Sequence, residues 1–204
     1  CSSDLTGTLQ YLASTAMEAG FSTRVLDMQA LDLQNGRFFD PAGELVNRCF
    51  KLYPWEWMVD ESPDGCLAEM EWLEPIWKLV MSNKAILATL YELFPDSPYV
   101  LPCYLSRPRS GLFCKKPVFS REGHNVSVVD IRDWEEYVRI AETEGDYNTG
   151  AYVYQEYVEP TAYSGRYPVI GSWIIGGEAA GIGIRENRME VTDNLSEFVP
   201  HIIG

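Results

Sequence analysis

Hydrophobic and polar positions change rhythm along this chain, and the change divides it. Leu5, Leu9, Leu12, Ala16 and Ala19 recur at helical spacing, so Asp4–Gly20 is predicted as a helix with Gly20 as its C-cap. Strands are expected around Arg24–Met28 and over Leu45–Leu52, with turns at Asn35-Gly36 and Pro41–Gly43 between them. The second strand runs into Tyr53-Pro54-Trp55-Glu56-Trp57-Met58, and Ser62-Pro63-Asp64-Gly65 is a further turn. Helices are predicted over Leu67–Trp72 and from near Asn83 to Phe94-Pro95. The stretch between them is apolar but broken by Pro75.

From Tyr99 onward, short apolar runs alternate with Gly and Pro. Strands are predicted near Tyr99–Tyr104, Leu112–Lys116, Val126–Val129, Ala151–Glu156, Val169–Ile175, Ala179–Arg185 and Met189–Thr192, interrupted by one acidic helix over Arg132–Glu144. The pattern is α+β, an antiparallel sheet with flanking helices, and not a regular βαβ repeat. A domain boundary is expected before Tyr99. Residues 1–98 read as a packing or substrate-side layer, and 99–204 as a sheet built to hold something polar.

Composition narrows the function. The net charge of −14 repels phosphate backbones, which argues against nucleic acid as a partner. An acidic surface suits a cationic small molecule, although it is more simply a solubilising surface. No apolar run reaches the ~18 residues of a membrane helix. The five cysteines, Cys1, Cys49, Cys66, Cys103 and Cys114, are odd in number and form no CxxC pair, which argues against a disulfide scaffold or a zinc site and for a reducing cytoplasm. The chain starts at Cys1, which a cut fragment explains better than a lipidated mature N-terminus.

Four segments carry candidate chemistry. In Lys116-Pro117-Val118-Phe119-Ser120-Arg121-Glu122-Gly123-His124-Asn125-Val126 a strand ends in a lysine, and a polar loop with Ser120, Arg121 and Gly123 follows. Backbone N–H groups of such a loop can cradle phosphates while Lys and Arg counter their charge. The spacing is not that of a Walker A motif, and alone the segment reads more simply as a plain hairpin with surface charges. In Tyr154-Gln155-Glu156-Tyr157-Val158 a strand opens into a linker of the kind whose backbone can read adenine, although alone it reads more simply as an ordinary strand end. Gly176-Gly177 is a hairpin turn, and the Gly181/Gly183 alternation leaves one strand face bare for close approach, with Arg185 at the strand end. An arginine facing a cleft there suits a transferring phosphoryl group. Ser82-Asn83-Lys84 opens a helix, where an anion is favoured, or where Lys84 is simply solvated. His124 and His201 suggest no joint site, and the carboxylates form no recognisable metal cluster.

The order of these segments is more specific than any one of them. Trp55-Glu56-Trp57, Glu74-Pro75-Ile76-Trp77, Ser82–Leu87, Leu93-Phe94-Pro95, Lys116-Pro117 with Arg121-Glu122-Gly123 and Asn125, Tyr154-Gln155-Glu156, Gly181–Glu186 and Phe198-Val199-Pro200-His201 together resemble the synthetase domain of the glutathionylspermidine synthase family. The resemblance implies an ATP-grasp-like fold and an ATP- and Mg²⁺-dependent carboxylate–amine ligase acting through an acyl phosphate, present here as a C-terminal fragment. A non-catalytic ATP-binding or scaffold domain is the alternative.

By the same resemblance Lys84 and Lys116 contact the ATP phosphates, Gly123 lies in the phosphate loop, and Gln155, Glu156, Tyr157 and Val158 form the adenine-side linker. Glu190, Val191 and Thr192 run beside the nucleotide, Arg185 is catalytic at the transferred phosphoryl, and Glu56 and Trp57 lie on the substrate side. The family's magnesium ligands are expected upstream of this sequence, which would leave the fragment alone inactive. The expected substrates are a peptide or glutathione-like carboxylate and an amine. Trp57 stands where the family has a small hydroxyl residue beside glutathione, and the polyamine-contacting region maps to Pro168–Val169, where nothing polar remains. An amine other than spermidine is therefore expected.

Overall fold

The structure is a computed structural model and describes residues 3–133, 136–147, 150–191 and 196–202. It contains two compact units, Cys1–Val80 and Met81–Gly204. As the sequence pattern implies, the chain is α+β with antiparallel sheets and few helices.

The first unit opens with helix α1 (Ser3–Glu18). Gly20, at φ 90°, closes it: its N–H donates to Met17 O at 2.9 Å and Phe21 N–H reaches back to Ala16 O at 3.0 Å. These paired bonds satisfy carbonyls that a helix end leaves bare. Strands β1 (Asp32–Gln34) and β2 (Arg37–Phe39) form a hairpin around Asn35-Gly36, and β3 (Leu45–Val46) pairs with β2. Both turn residues have positive φ, 49° and 76°, the backbone that a two-residue primed turn requires and that Asn and Gly tolerate best. Strand β4 (Arg48–Phe50) then leads through helices α2 (Trp55–Glu61) and α3 (Pro63–Cys66) to β5 (Glu71–Leu73), which pairs parallel to β4.

The core of this unit is aromatic. Phe38, Trp55, Met58 and Trp72 are buried together, with the Trp72 ring edge-on to both Phe38 and Trp55 at 5.7 and 5.4 Å. Such edge-to-face pairs add roughly 0.5–1.5 kcal/mol each to the burial term.

Three expectations fail here for physical reasons. Residues 24–27 form no strand and find no backbone partner strand among the described residues; the Arg24 side chain instead forms ion pairs with Asp40 and Glu44. The strand expected over Leu45–Leu52 breaks at Asn47, whose carbonyl accepts the Glu71 N–H, so its halves join different sheets. The helix expected over Leu67–Trp72 gives way to β5, because Trp72 is needed beside Cys49 to fill the core.

A short helix, α4 (Leu79–Ser82), crosses the boundary into the second unit. There α5 (Ala85–Leu93) starts where Asn83 Oδ1 accepts the Ala85 N–H at 2.9 Å and ends before Pro95. Among the described residues eight strands follow: β6 (Cys103–Tyr104), β7 (Gly111–Pro117), β8 (Ser127–Ile131), β9 (Tyr137–Glu142), β10 (Tyr152–Glu156), β11 (Tyr167–Ile175), β12 (Glu178–Asn187) and β13 (Glu197–Val199).

They form two antiparallel sheets, one in the order β6-β10-β7-β8-β9 and one in the order β11-β12-β13. In the first, Ala88 of α5 packs on Cys103 and Val153, while Phe113, Val129 and Ile131 cluster together. Strand β8 is buried at Ser127, Val128, Val129 and Ile131, with Asp130 alone half-buried.

Where an acidic helix is expected over Arg132–Glu144, Tyr137–Glu142 form strand β9 instead, and residues 134–135 lie outside the described residues. Asp133 Oδ1 accepts the Glu136 N–H at 2.8 Å, and Tyr137-Val138-Arg139-Ile140 extends as an edge strand along β8. Its aromatic and β-branched residues and the open ladder of β8 outweigh the helical charge spacing. Met189–Val191 is irregular, and Thr192 lies outside the described residues. No helix among the described residues is long and apolar enough to cross a membrane, and the four described cysteines are free thiols.

Candidate functional site

The sheet register places the candidate cation. Lys116 sits opposite Val153 and Cys114 sits opposite Gln155, so Lys116 and Gln155 share one face of the β7/β10 pair on a diagonal. Lys116 Nζ donates to Gln155 Oε1 at 2.7 Å. Lys115, one residue earlier, points to the other face and lies over the Tyr152 ring at 4.0 Å. Among the described residues no carboxylate lies within 4.0 Å of Lys116 Nζ. Burial pushes the Cys103 and Cys114 thiols up, with the Lys116 charge opposing, so both stay protonated neighbours of the ammonium.

Lys84 joins the same region from the start of α5. Its N–H donates to Val118 O at 2.8 Å, just beyond β7, and its Nζ donates to Ser120 O at 2.6 Å and to Ser120 Oγ at 2.9 Å. The loop that follows contains three left-handed residues, Glu122, Gly123 and Asn125, with φ 54°, 73° and 54°. Among the described residues no protein acceptor takes the N–H of Glu122 or Gly123. Lys84 and the left-handed loop thus lie just beyond the end of β7, the strand that carries Lys116.

The linker side is partly committed. Glu156 N–H is taken by Pro102 O at 2.8 Å and Tyr157 N–H by Leu112 O at 3.0 Å, whereas exposed Val158 offers its N–H to no acceptor among the described residues. Tyr157 OH donates to Glu190 Oε2 at 2.7 Å, which ties the linker to the segment after β12. That bond, with burial second, pushes the phenol up to about 12. Val191 lies beside it, its carbonyl accepting from Asn187 Nδ2 at 3.2 Å.

Arg185 stands on β12 between Val169 and Phe198, with its guanidinium 5.9 Å from the Phe198 ring centre. No carboxylate among the described residues pairs with it, while its neighbour Glu186 faces Arg166 at 3.9 Å. Trp173 and Phe198 approach the bare strip at Gly183: a Cβ built there would lie 3.6 Å from Phe198 and 3.9 Å from the Trp173 indole nitrogen. No hydrogen bond among the described residues links Arg185 to the Lys84–Lys116 group.

Glu56 and Trp57 belong to the first unit, in the first turn of α2. Trp57 is 42% exposed and edge-on to Tyr53 at 5.6 Å, which leaves an aromatic face open to a ligand.

Sequence reasoning passed over Lys51. Only 8% exposed, it lays its ammonium 3.7 Å from the Trp55 ring centre and donates to Tyr53 O at 2.8 Å. Burial pulls it down to about 8, against the raising influence of Glu74, Cys49, Cys66 and Glu56. The available signal was a lysine just after the Arg48–Phe50 run, two residues before Tyr53-Pro54-Trp55.

The family profile described as glutathionylspermidine synthase preATP-grasp matches residues 2–204, and the chain belongs to that family. A Haemophilus influenzae protein that carries the name of an acid–amine ligase is 35% identical over 204 residues, covering 96% of this chain and 52% of that protein. Trypanothione synthetase of Crithidia fasciculata is 35% identical over 130 residues, 62% of this chain and 19% of that protein. The bifunctional glutathionylspermidine synthetase/amidase of Escherichia coli is 26% identical over 226 residues, 95% of this chain and 36% of that protein. The chain thus spans about half the length of the first of these relatives and less of the other two. All three are named as ligases or synthetases, which places this chain in a ligase family.

Proposed function

We propose that this chain carries the nucleotide side of an ATP-dependent carboxylate–amine ligase of the ATP-grasp type, which forms an amide through an acyl phosphate. One observation carries the reading. In a chain with 30 acidic and 16 basic residues, Lys116 sits half-buried at a strand end with an amide oxygen as its partner and no described carboxylate in reach. A charge left open in so acidic a chain fits an anionic ligand. Lys84 at Ser120 and the left-handed loop beside it supply further donors of matching sign.

In this reading Lys84, Lys116 and the loop around Gly123 hold the phosphates. The linker Gln155–Val158 takes the base, with Val158 N–H as its open donor, and Glu190 and Val191 border it, as does Thr192 by resemblance alone. Arg185 compensates charge on the phosphoryl group as it transfers. When bound, ATP activates the carboxyl for attack by the amine. Magnesium is the usual counter-ion for such chemistry, but no group of three or more His, Cys, Asp or Glu among the described residues could hold a metal ion, so no step here runs through one.

The carboxylate is proposed to be a peptide of glutathione type, received at Glu56 and Trp57. The amine is proposed to differ from spermidine. Pro168 and Val169, which take the place of the family's polyamine contact, lie opposite Glu186 and Arg185 on the neighbouring strand. Glu186 faces Arg166 there, so the segment offers a polycation little uncompensated negative charge.

The test is ADP release by the whole protein, supplied with ATP, Mg²⁺ and panels of peptides and amines. Release that requires both a carboxylate and an amine supports the ligase. Binding of ATP without release under any pair would make the chain a nucleotide-binding scaffold instead. A clear kcat/KM preference for spermidine with glutathione would overturn the substrate proposal alone.

A further inference from the structure

The loop that presents Gly123 is not held by its own strands alone. It runs from Val118 to Val126 between β7 and β8, and includes left-handed backbone at two non-glycine residues, Glu122 and Asn125. Such backbone persists only where its surroundings over-determine it. The determinants lie on one short segment just past β9, at alternate residues 143, 145 and 147.

Thr143 supplies the first. Its hydroxyl accepts the Val126 N–H at 2.9 Å and donates to Gly123 O, while its own N–H bonds Val126 O at 2.9 Å. Gly145 supplies the second, as a space. A Cβ built there would fall 2.4 Å from His124 Cβ and 2.9 Å from Asn125 Oδ1, so any side chain drives the loop away. Tyr147 supplies the third: its N–H donates to Asn125 Oδ1 at 2.8 Å, and its ring meets the His124 imidazole edge-on at 5.9 Å. Residues 143, 145 and 147 thus each meet the loop, and together they touch Gly123, His124, Asn125 and Val126.

We infer that Thr143, Gly145 and Tyr147 form a buttress that sets the conformation of the 122–125 loop, and are positioning residues for the phosphates of the nucleotide. The inference rests on the nucleotide reading of the preceding subsection. None of the three residues is assigned a contact with the phosphates. They act by holding the left-handed backbone of Glu122, Gly123 and Asn125 before the ligand arrives, so that binding does not have to order the loop.

The experiment compares Thr143→Val, Thr143→Ser and Gly145→Ala with Lys116→Ala in the whole protein. It reads the KM for ATP, kcat, and amide hydrogen exchange at Val126 and Tyr147 in the absence of nucleotide. Thr143→Val is expected to raise the KM for ATP by ~10-fold, the loss of one well-placed polar contact, with kcat within about 3-fold. Exchange at Val126 should accelerate. Thr143→Ser, which keeps the hydroxyl, should restore both, and Gly145→Ala should raise KM as Thr143→Val does.

If Thr143→Val does not fold, Gly145→Ala and Thr143→Ser decide, since the first must raise KM and the second must not. An unchanged KM in Thr143→Val and Gly145→Ala, with loss of ATP use in Lys116→Ala, overturns the buttress and leaves the site. An unchanged KM in Lys116→Ala overturns the nucleotide reading itself.

Discussion

Each unit of the molecule has a lysine withdrawn from solvent, and the two are handled in opposite ways. Lys51 in the first unit is enclosed: its ammonium lies on the Trp55 ring, bonds one carbonyl, and is pulled by burial down to about 8. Lys116 in the second unit stands at a strand end, half-buried, with Gln155 as a neutral partner. The first lysine is built into an aromatic core, where its charge works against folding. The second stands on a sheet strand with a neutral amide as its partner and no described carboxylate in reach. Of the two, only Lys116 can meet a ligand without dismantling the core, so the functional reading follows it rather than the more perturbed group.

That contrast can be broken most severely through the site. In the whole protein Lys116→Ala and Arg185→Ala should each lower ATP-dependent turnover by ~10²-fold or more, the usual scale for removing a charge that meets a transferring phosphoryl group. Neither should shift Tm by more than about 2 °C, since both are only partly buried and neither forms a described ion pair. Steady-state kinetics and a melting curve on the same preparations check this. A large fall in Tm would assign the residue to packing.

Through the first unit the effect should fall on stability instead. The unfolded chain keeps its Lys51 proton up to the ordinary value of 10.5, whereas the folded chain keeps it only to about 8. Between those values unfolding takes up a proton, so stability should rise with pH there, by up to ~3 kcal/mol, with the penalty fully present below pH 8. Denaturant titrations across that range should show the rise, and Lys51→Met should abolish it.

Asp40 should act with the opposite sign. Backbone N–H bonds from Glu44 and Ala42, with Arg24 beside it, hold its carboxyl below the usual range despite burial. Its stabilisation is present above the ordinary carboxylate pKa and is lost as pH falls through the depressed one. Asp40→Asn should flatten the acid limb of the stability curve.

The smallest effect is expected at Tyr157. Tyr157→Phe removes the bond to Glu190 and leaves the ring, so the KM for ATP should rise by only about 2- to 5-fold, the scale of one exposed hydrogen bond. Titration of the phenol by absorbance should also lose its component near 12.

Much of the second unit was legible in the sequence. Strands β7, β10, β11 and β12 fall within two or three residues of their expected ends, because each is an apolar run closed by Gly, Pro or a charged residue. The Gly176-Gly177 turn lies where expected, with φ 60° and 88°. Strand β9 was misread because the Arg132–Glu144 charges sit at helical spacing, and only the neighbouring ladder of β8 reveals an open edge that needs a partner. The Leu67–Trp72 helix failed likewise, since the demand for Trp72 in the core comes from Phe38 and Trp55, far away in sequence.

In the site, Lys116 and Gln155 could be read as neighbours once β7 and β10 were paired, and Lys84 as a companion from its place before α5. Lys51 could not, because what distinguishes it is enclosure by Trp55, Tyr53 and two cysteines, which no local pattern states. The hold of Thr143 on the Gly123 loop was equally silent, for it joins residues 20 apart across a bulged strand pair.

The central claim is that the open lysine, and not the enclosed one, belongs to the nucleotide. Equilibrium binding of a non-hydrolysable ATP analogue to the whole protein, compared with Lys116→Ala and Lys51→Met, tests it most directly. The account predicts binding weakened by ~10-fold or more in Lys116→Ala, as expected for a lost charge-assisted phosphate contact, and unchanged within about 2-fold in Lys51→Met. Unchanged affinity in Lys116→Ala, or a loss confined to Lys51→Met, would contradict it.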